Sequence, residues 1–475
     1  MTAAATPAVD SPSDERRRNL RVLGFVCTLS MITYLDRACF SMALGPIAGE
    51  LGLTDPSQLK WAITAFAIAY AAFEIPAGAM GDRHGAKPML IRIVIWWSAC
   101  TALTGLVGLK VGGAVMGGVG TLIVLRFLFG AGEAGAYPNI TRALHDRLPA
   151  RSWETAQGLV FMSGRLAGGL TPLLWALLVG GTASAAPWLT WRGAFLLFGA
   201  IGVAWAIAFR YGFPDRPAKV AGREVEARPS HHSGVPWKAL ATSRTLWALC
   251  VMYLLVNYAW AFNLSYLPTY VEQRFGIGAD DRIGAIYKGA PLWVGALGCL
   301  LGGPAVNGLA RLLGDRRRAR RALGVSALSL GAACWWGALG AKDVHSYCIL
   351  TALAAFTIDL TLGACWASCQ DLGRGHAATT AACMNTVGTL GNALAGWLTG
   401  TLVEGSIAAR AASLQVAPAG LAEAEKRVAA IAGYESAFVT YVAAFVIAAS
   451  CWLLIDPSRP LVPDDRESDS PAPIA

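Results

Sequence analysis

Seven charged side chains lie inside the long apolar runs of this 475-residue chain, and they are the residues best placed to do chemistry there. If these runs cross a bilayer, each such charge costs at least about 2.5–3.5 kcal/mol and needs a compensating role. Arginine stays charged at any physiological pH and binds a carboxylate through two parallel hydrogen bonds, while a buried carboxylate is pushed toward protonation. The set therefore predicts anion binding with proton exchange, and its members are Asp36, Arg37, Glu74, Arg126, Glu133, Arg165 and Asp359.

The spacing of these residues predicts which of them share a helix face. Arg126 and Glu133 are seven residues apart, or two helical turns, which places them on one face about 10 Å apart along the axis. Tyr34 and Arg37 share a face at i and i+3, whereas Asp36 points about 100° away from Arg37. In the alternative interpretation, Arg126–Glu133 and Asp36–Arg37 are only neutralising pairs that hold helices together.

Two further acids fit a structural role better than a functional one. Tyr70 and Glu74 line up at i and i+4 in the second apolar run, and Asp359 lies in a run of the second half. For Glu74 and Asp359 the sequence favours helix packing over proton exchange.

The composition predicts a membrane protein that positions these residues on helices. Hydrophobic residues make up 55% of the chain and charged residues 15%, with a mean hydropathy of +0.48, whereas about 25% charged residues is usual for a soluble protein. The apolar runs are about twenty residues long, enough to span a bilayer core as helices, and they lack the alternation of barrel strands. We predict an all-α integral membrane protein with twelve transmembrane helices, near residues 21–44, 58–80, 89–109, 120–142, 156–180, 192–212, 245–270, 286–310, 322–341, 346–369, 377–403 and 434–455.

The polar segments divide the chain into two halves of six helices each. The predicted divisions are a disordered cytoplasmic tail (1–20), a first bundle (21–212), a cytoplasmic linker (213–244), a second bundle (245–455) and a disordered cytoplasmic tail (456–475). Most of the 39 lysines and arginines lie in the segments on the side of the amino terminus, so the positive-inside rule predicts a cell (inner) membrane protein with both termini in the cytoplasm. The net charge of +9 is thus a sign of topology, and it does not call for a nucleic-acid partner.

The cysteines carry no sign of a cofactor. All 11 fall inside or at the edge of apolar spans, where small soft side chains pack between helices. Cys365 and Cys369 have no histidine on the same span, so we predict neither a zinc site nor any other cofactor.

A glycine-rich motif closes the second span and is expected to control a helix contact. The glycines of this motif, among them Gly78 and Gly85, let helix ends approach closely, and the turn must be tight. Asp82 is suited to face the positive end of another helix, while Arg83 and Lys87 stay at the lipid headgroups. A matching feature, 303–307 followed by Arg311 and 316–318, ends the eighth span, which indicates that the two halves are parallel repeats.

The motif at 78–87 resembles the signature of the major facilitator superfamily, with Met80 where leucine is commoner and Ala86 where a basic residue is usual. The stretches 34–37, 70–76 and 126–133 resemble the anion:cation symporter family within it. The resemblance extends from about residue 20 to 455. That family includes bacterial carriers of hexuronates, galactonate and glucarate.

The resemblance implies roles for particular residues. Asp36 and Glu133 would be the proton-coupling sites, and the cavity would be lined by Tyr34, Arg37, Tyr70, Arg126 and Asn385.

Two positions are weighed beside that resemblance. Ser368 is a further polar candidate for the cavity in the second half. Arg165 stands where sugar-acid members have glutamine. It predicts either a site for a dianion or larger acid, or an ion pair with Glu133 or Glu74.

We predict a monomeric secondary transporter that imports a small organic anion, a sugar acid by preference, together with a proton through the lipid bilayer by alternating access. Sodium in place of the proton stays open. An efflux antiporter on the same fold would need an aromatic, mostly uncharged cavity, against which the three arginines count. A non-transporting anion sensor would need an output domain, and an intramembrane enzyme would need a motif such as His-Glu-x-x-His; the sequence offers neither.

Overall fold

The computed structural model describes residues 12–53, 59–111, 114–180, 188–217, 219–220, 223–224, 234–277 and 282–462. Its first half consists of the helices α1 (Pro12–Glu50), α2 (Lys60–His84), α3 (Ala86–Thr104), α4 (Val119–Glu133), α5 (Ala136–Arg147), α6 (Trp153–Trp175) and α7 (Trp191–Gly212). Two short strands, β1 (Leu109–Val111) and β2 (Ala114–Met116), pair antiparallel between α3 and α4.

The second half repeats this arrangement. A short hairpin of β3 (Lys219–Val220) and β4 (Arg223–Glu224) and the helix α8 (Trp237–Thr242) precede it. Its helices are α9 (Arg244–Ser265), α10 (Leu267–Phe275), α11 (Arg282–Leu313), α12 (Arg316–Leu339), α13 (Val344–Gly373), α14 (Ala377–Ser413) and α15 (Glu423–Leu454).

The described part of the chain contains helices long and apolar enough to cross a membrane twelve times. Eleven apolar helical segments are long enough to span a bilayer, and the segment Val344–Ser413 contains two of the helices, α13 and α14. Large apolar side chains are more than half exposed around both halves, among them Trp61, Ile68, Trp336 and Trp397. Such a surface suits contact with lipid chains.

The packing within each half follows one pattern. In the first half the first span packs on the fifth (α1 on α6), the second on the fourth (α2 on α4) and the third on the sixth (α3 on α7). In the second half the corresponding pairs are α9 with α14, α11 with α13, and α12 with α15. This is the internal repeat that the matching motifs predicted.

Local sequence signals set several helix ends. Thr190 caps α7 by accepting a hydrogen bond from the Gly193 amide at 3.1 Å, and Asp343 caps α13 through the Ser346 amide at 2.9 Å. Asp315 caps α12 through the Arg317 amide at 2.8 Å.

The fourth predicted span is not one continuous helix. α4 ends at Glu133 and α5 begins at Ala136, so the break falls directly after a candidate proton site. The stretch from Gly130 to Gly135 contains three glycines, and glycine weakens the helix interior.

The structure also corrects the predicted tails and linker. Residues 12–20, expected to be disordered, form the first turns of α1, with Asp14 and Glu15 at the positive end of the helix. Residues 1–11 and 463–475, most of the predicted tails, lie outside the described residues. The start of the predicted linker is bound to α3. Lys87 donates to Asp215 at 2.9 Å and holds the pKa of that carboxyl below its ordinary value.

One end of the bundle, here called the basic face, carries the ends of α2, α5 and α11 and the starts of α6, α12 and α14, together with Arg83, Lys87, Arg142, Arg316 and Arg320. The hydrogen bonds that join the two halves in the described residues cluster at this face and at mid-depth. The halves are thus closed together on the basic side.

Candidate anion and proton site

Arg37 and Glu133 form an ion pair between α1 and α4. Arg37 Nε donates to Glu133 Oε1 at 2.8 Å; the Arg37 side chain is 32% exposed, whereas that of Glu133 is 1% exposed. The guanidinium also lies over the rings of Tyr70, at 4.8 Å from the centroid, and Phe66, at 5.4 Å. The cation therefore stays accessible while its acid is enclosed.

Arg126 has no ion pair or hydrogen bond with the residues that the structure describes. Its guanidinium is instead surrounded by three aromatic rings, at 4.0 Å from the centroid of Phe40, 4.7 Å from Phe129 and 4.8 Å from Phe66. Arg126 is 6% exposed, and its Nε is buried without a partner. A buried guanidinium with free donors is suited to receive an anionic ligand.

Asp36 lies on the other side of α1 from Arg37. It is 3% exposed, and neither carboxylate oxygen has a hydrogen-bond partner among the described residues. Arg126 attracts this carboxylate and Glu133 repels it. The structure does not contain the pairs of the alternative interpretation, Asp36–Arg37 and Arg126–Glu133. Instead, Arg37 on α1 pairs with Glu133 on α4.

Arg165 forms a two-pronged ion pair with Asp359, which joins α6 in the first half to α13 in the second. Arg165 Nε and Nη2 donate to the two oxygens of Asp359 at 3.0 and 2.9 Å. The guanidinium lies 3.9 Å from the Trp260 ring centroid, and its Nη1 donates to the Tyr34 hydroxyl at 3.3 Å. The predicted ion pair of Arg165 with Glu133 or Glu74 is wrong, because its acid, Asp359, comes from the other half of the molecule.

Glu74 and Asn385 meet at the same interface between the halves. Asn385 Nδ2 donates to Glu74 Oε1 at 2.5 Å, and Thr386 Oγ1 donates to Glu74 Oε2 at 3.1 Å. Glu74 has no exposed surface. Asn385, expected to line the cavity, is thus bound to an acid of α2.

Ser368 is not with the central residues. Its hydroxyl donates to the Ala364 carbonyl at 2.7 Å and accepts from Arg320 Nη1 at 3.4 Å. Ser368 is fully buried in the charged contacts near the basic face, and its predicted place in the cavity is corrected accordingly. The sequence did not show whether this residue of α13 lies level with the central residues or near the basic face.

The motif at 78–87 forms a contact between the halves. Asp82 accepts hydrogen bonds from the amides of Ala378, at 3.0 Å, and Thr379, at 2.8 Å, so its carboxylate faces the amino terminus of α14 as the sequence predicted. A Cβ on Gly78 would lie 2.8 Å from the Ala378 carbonyl oxygen, which explains why glycine is needed there.

The end of the motif turns the chain between α2 and α3. Gly85 has φ +93°, a conformation that favours glycine. Arg83 is exposed at the basic face, whereas Lys87 contacts the linker through the Phe213 carbonyl at 2.8 Å in addition to Asp215.

A second charged contact between the halves was not predicted from the sequence. Glu154 in the first turn of α6 accepts from Arg320 Nε at 2.8 Å and from Arg316. Arg320 also pairs with Asp371 at 2.6 Å. The sequence feature that could have indicated this contact is the acid at the start of the fifth span, opposite the run of arginines that begins at 316.

Two six-helix halves, closed together at one face and enclosing buried cations and acids at mid-depth, define a membrane carrier of solutes. A model of the Major Facilitator Superfamily matches residues 26–396. The chain belongs to the major facilitator superfamily, which confirms the prediction from the motifs.

The relatives of this chain include anion carriers. The probable sulfoacetate transporter of Cupriavidus necator is 31% identical over 378 residues, which cover 77% of this chain and 83% of the relative. The hexuronate transporter of Bacillus subtilis is 25% identical over 388 residues, 80% of this chain and 87% of the relative. A solved bacterial homologue of the iron transporter ferroportin, in an outward-facing state, has a TM-score of 0.64 at 10% identity and covers 91% of this chain and 98% of that one. At that identity the last likeness concerns the fold alone, which confirms the predicted architecture.

Proposed function

We propose that this protein is a proton-coupled importer of a small organic anion that carries at least one carboxylate. The observation that carries the proposal is Arg126, a buried guanidinium in a ring of aromatic side chains that no acid of the described residues binds. The accessible Arg37 provides a second cation on the neighbouring helix.

Glu133 couples the binding of a proton to the binding of the anion. While Glu133 is ionised, it occupies Arg37 Nε at 2.8 Å. Protonation of Glu133 removes its charge and frees Arg37 for the substrate carboxylate, which an arginine binds through two parallel hydrogen bonds. Asp36, with no hydrogen bond to the described residues, is the second proton acceptor.

The orientation of the carrier follows from the distribution of basic residues. The basic face is cytoplasmic by the positive-inside rule, and this is the face at which the halves are closed together. The conformation described here is accordingly the one that takes substrate from outside the cell.

The substrate class is supported by the nature of the site and by the relatives. Their names specify sulfoacetate and hexuronates, which are small acids with a carboxylate. A sugar acid stays the first candidate, and a short sulfonated acid joins it.

Uptake into liposomes tests this function. Purified protein is reconstituted and given an inward proton gradient with labelled glucuronate, galactonate, glucarate or sulfoacetate outside. We expect at least one of these acids to accumulate, and a protonophore to abolish the accumulation. Accumulation that follows a sodium gradient instead would reassign the coupling ion, and transport of uncharged compounds in preference to all four acids would refute the anion site.

A further inference from the structure

Glu74 differs from the other buried acids in the kind of partner that it has. Asn385 and Thr386, both neutral, donate to its two oxygens from α14, a helix of the other half. Glu74 makes no ion pair within 4 Å among the described residues, whereas Glu133 and Asp359 each have an arginine. A fully buried carboxylate without a cation is costly in its ionised form.

The charged and titratable groups around Glu74 do not supply that missing cation. Arg37 on α1 attracts the carboxylate but is hydrogen-bonded to Glu133. Tyr70 on the same helix and Cys383 on α14 are neutral neighbours.

The other helices packed against α2 direct their charged groups elsewhere. On α4, Arg126 lies among aromatic rings and Glu133 faces Arg37. Arg142 on α5 lies beside Asp82 and donates to the Arg374 carbonyl. On α3, Arg92 contacts the sulfur of Met80.

The partners of Glu74 are able to serve either protonation state. A carboxylate accepts from the Asn385 amide nitrogen and the Thr386 hydroxyl; a carboxylic acid can donate to the amide oxygen of Asn385 or to the hydroxyl. An arginine has only donors and would hold the acid in its ionised form. The pair of neutral partners therefore suits a group that gains and loses a proton.

Glu74 also lies at the barrier between the central site and the basic face. Tyr70, one helical turn away, lies beside Arg37, while Gly78 and Asp82, one and two turns away on the other side, are pressed against the start of α14. If α2 separates from α14 to open the basic face, the bonds from Asn385 and Thr386 to Glu74 must break and water must reach the carboxyl.

We propose that Glu74 is a proton-carrying residue that links the α2–α14 barrier to protonation, an inference that rests on proton-coupled transport as the function. With the barrier closed, the carboxylate of Glu74 takes one proton from water in the central cavity and becomes a neutral acid. When α2 and α14 separate, the hydrated acid releases that proton to water on the basic side. The empty carrier then closes with Glu74 ionised, because the bonds from Asn385 and Thr386 form again on its carboxylate.

Infrared absorption of the carboxylic-acid C=O group tests the inference without any transport. Spectra of the purified protein are recorded over a pH titration for the wild type, Glu74→Gln and Asp359→Asn. We expect the wild type to show a titrating buried carboxylic-acid band, in addition to those of Asp36 and Glu133, that Glu74→Gln lacks. Asp359→Asn is the matched control, because Asp359 is a buried acid at the same interface that is paired with Arg165, and this variant should retain the band.

A second variant and a flux ratio complete the test. Asn385→Leu removes one partner but keeps the acid, and it should shift the titration of the same band to higher pH. In liposomes, Glu74→Gln should move one proton fewer per substrate than the wild type. Identical infrared spectra for the wild type and Glu74→Gln at every pH would overturn the inference. Uptake that ignores the proton gradient in the wild type, with the Glu74 band still present, would instead refute the proposed function alone.

Discussion

Replacing Arg165 by glutamine removes one side of a two-pronged ion pair between the halves. Arg165 holds Asp359 with hydrogen bonds of 3.0 and 2.9 Å, and Asp359 has no exposed surface. In Arg165→Gln the carboxylate stays buried at the same place without its cation.

The expected cost follows from that geometry. Removal of one partner from a buried ion pair destabilises a protein by about 3–5 kcal/mol, because an uncompensated charge is left behind, whereas removal of both is often close to neutral. We therefore expect Arg165→Gln to unfold at a clearly lower temperature than the wild type. The double variant Arg165→Gln/Asp359→Asn should regain most of the loss.

Thermal unfolding of the purified protein in detergent, followed by tryptophan fluorescence, measures this difference. Binding of a diacid and of a monoacid is measured on the same preparations. Since the charge of Arg165 is already balanced by Asp359, we expect the ratio of the two affinities to stay within about twofold of the wild type.

Two results would contradict this reasoning. An Arg165→Gln protein as stable as the wild type would mean that the pair contributes nothing to the folded state. A roughly tenfold fall in the preference for the diacid would mean that Arg165 leaves Asp359 and binds the substrate directly.

Three other substitutions have definite expected outcomes. Arg126→Ala should abolish uptake of the substrate while the protein still folds, and full uptake by a well-expressed variant would exclude the anion site. Glu133→Gln should keep substrate exchange but lose accumulation driven by a pH gradient, since the amide imitates the protonated acid yet releases no proton; unchanged accumulation would move the proton site to Asp36. Asp82→Asn weakens the charge at the start of α14, worth up to about 2 kcal/mol, and should increase the labelling of a cysteine placed at Thr155 from the basic side. Equal labelling in the wild-type and Asp82→Asn proteins would show that Asp82 does not help to close the basic face.

The sequence predicted the parts of the site that belong to single helices. The spacing of Arg126 and Glu133, and the place of Asp82 at the end of α2, required only helical periodicity and the motif. Contacts between helices could not be obtained in this way. Arg37 pairs with Glu133 and Arg165 with Asp359 across 96 and 194 residues of sequence, and periodicity contains no information about which helices become neighbours.

Burial and height along the helix account for the remaining errors. Ser368 has the composition of a cavity residue but lies beside Arg320, because α13 extends to Gly373 at the basic face. For Glu74, the position in a single apolar span does not show what the carboxyl contacts on other helices. Its neutral partners belong to α14 in the other half, more than 300 residues away in the sequence.

The charges of the central site constrain how many protons accompany each substrate. Asp36, Arg37, Arg126 and Glu133 sum to zero when all are ionised, and in a medium of low dielectric a loaded site with the same sum is favoured. A substrate with one negative charge preserves the sum if it arrives with one proton, whereas a dianion requires two. Because Arg165 is balanced by Asp359, it provides no spare positive charge for the second anionic group. A dianionic substrate would thus need protons on both Asp36 and Glu133, so that the ratio of protons to substrate should rise with the charge of the acid transported. Measuring this ratio for glucuronate and for glucarate in the same liposomes compares one charge with two. An equal ratio for both acids would show that the site does not conserve its charge.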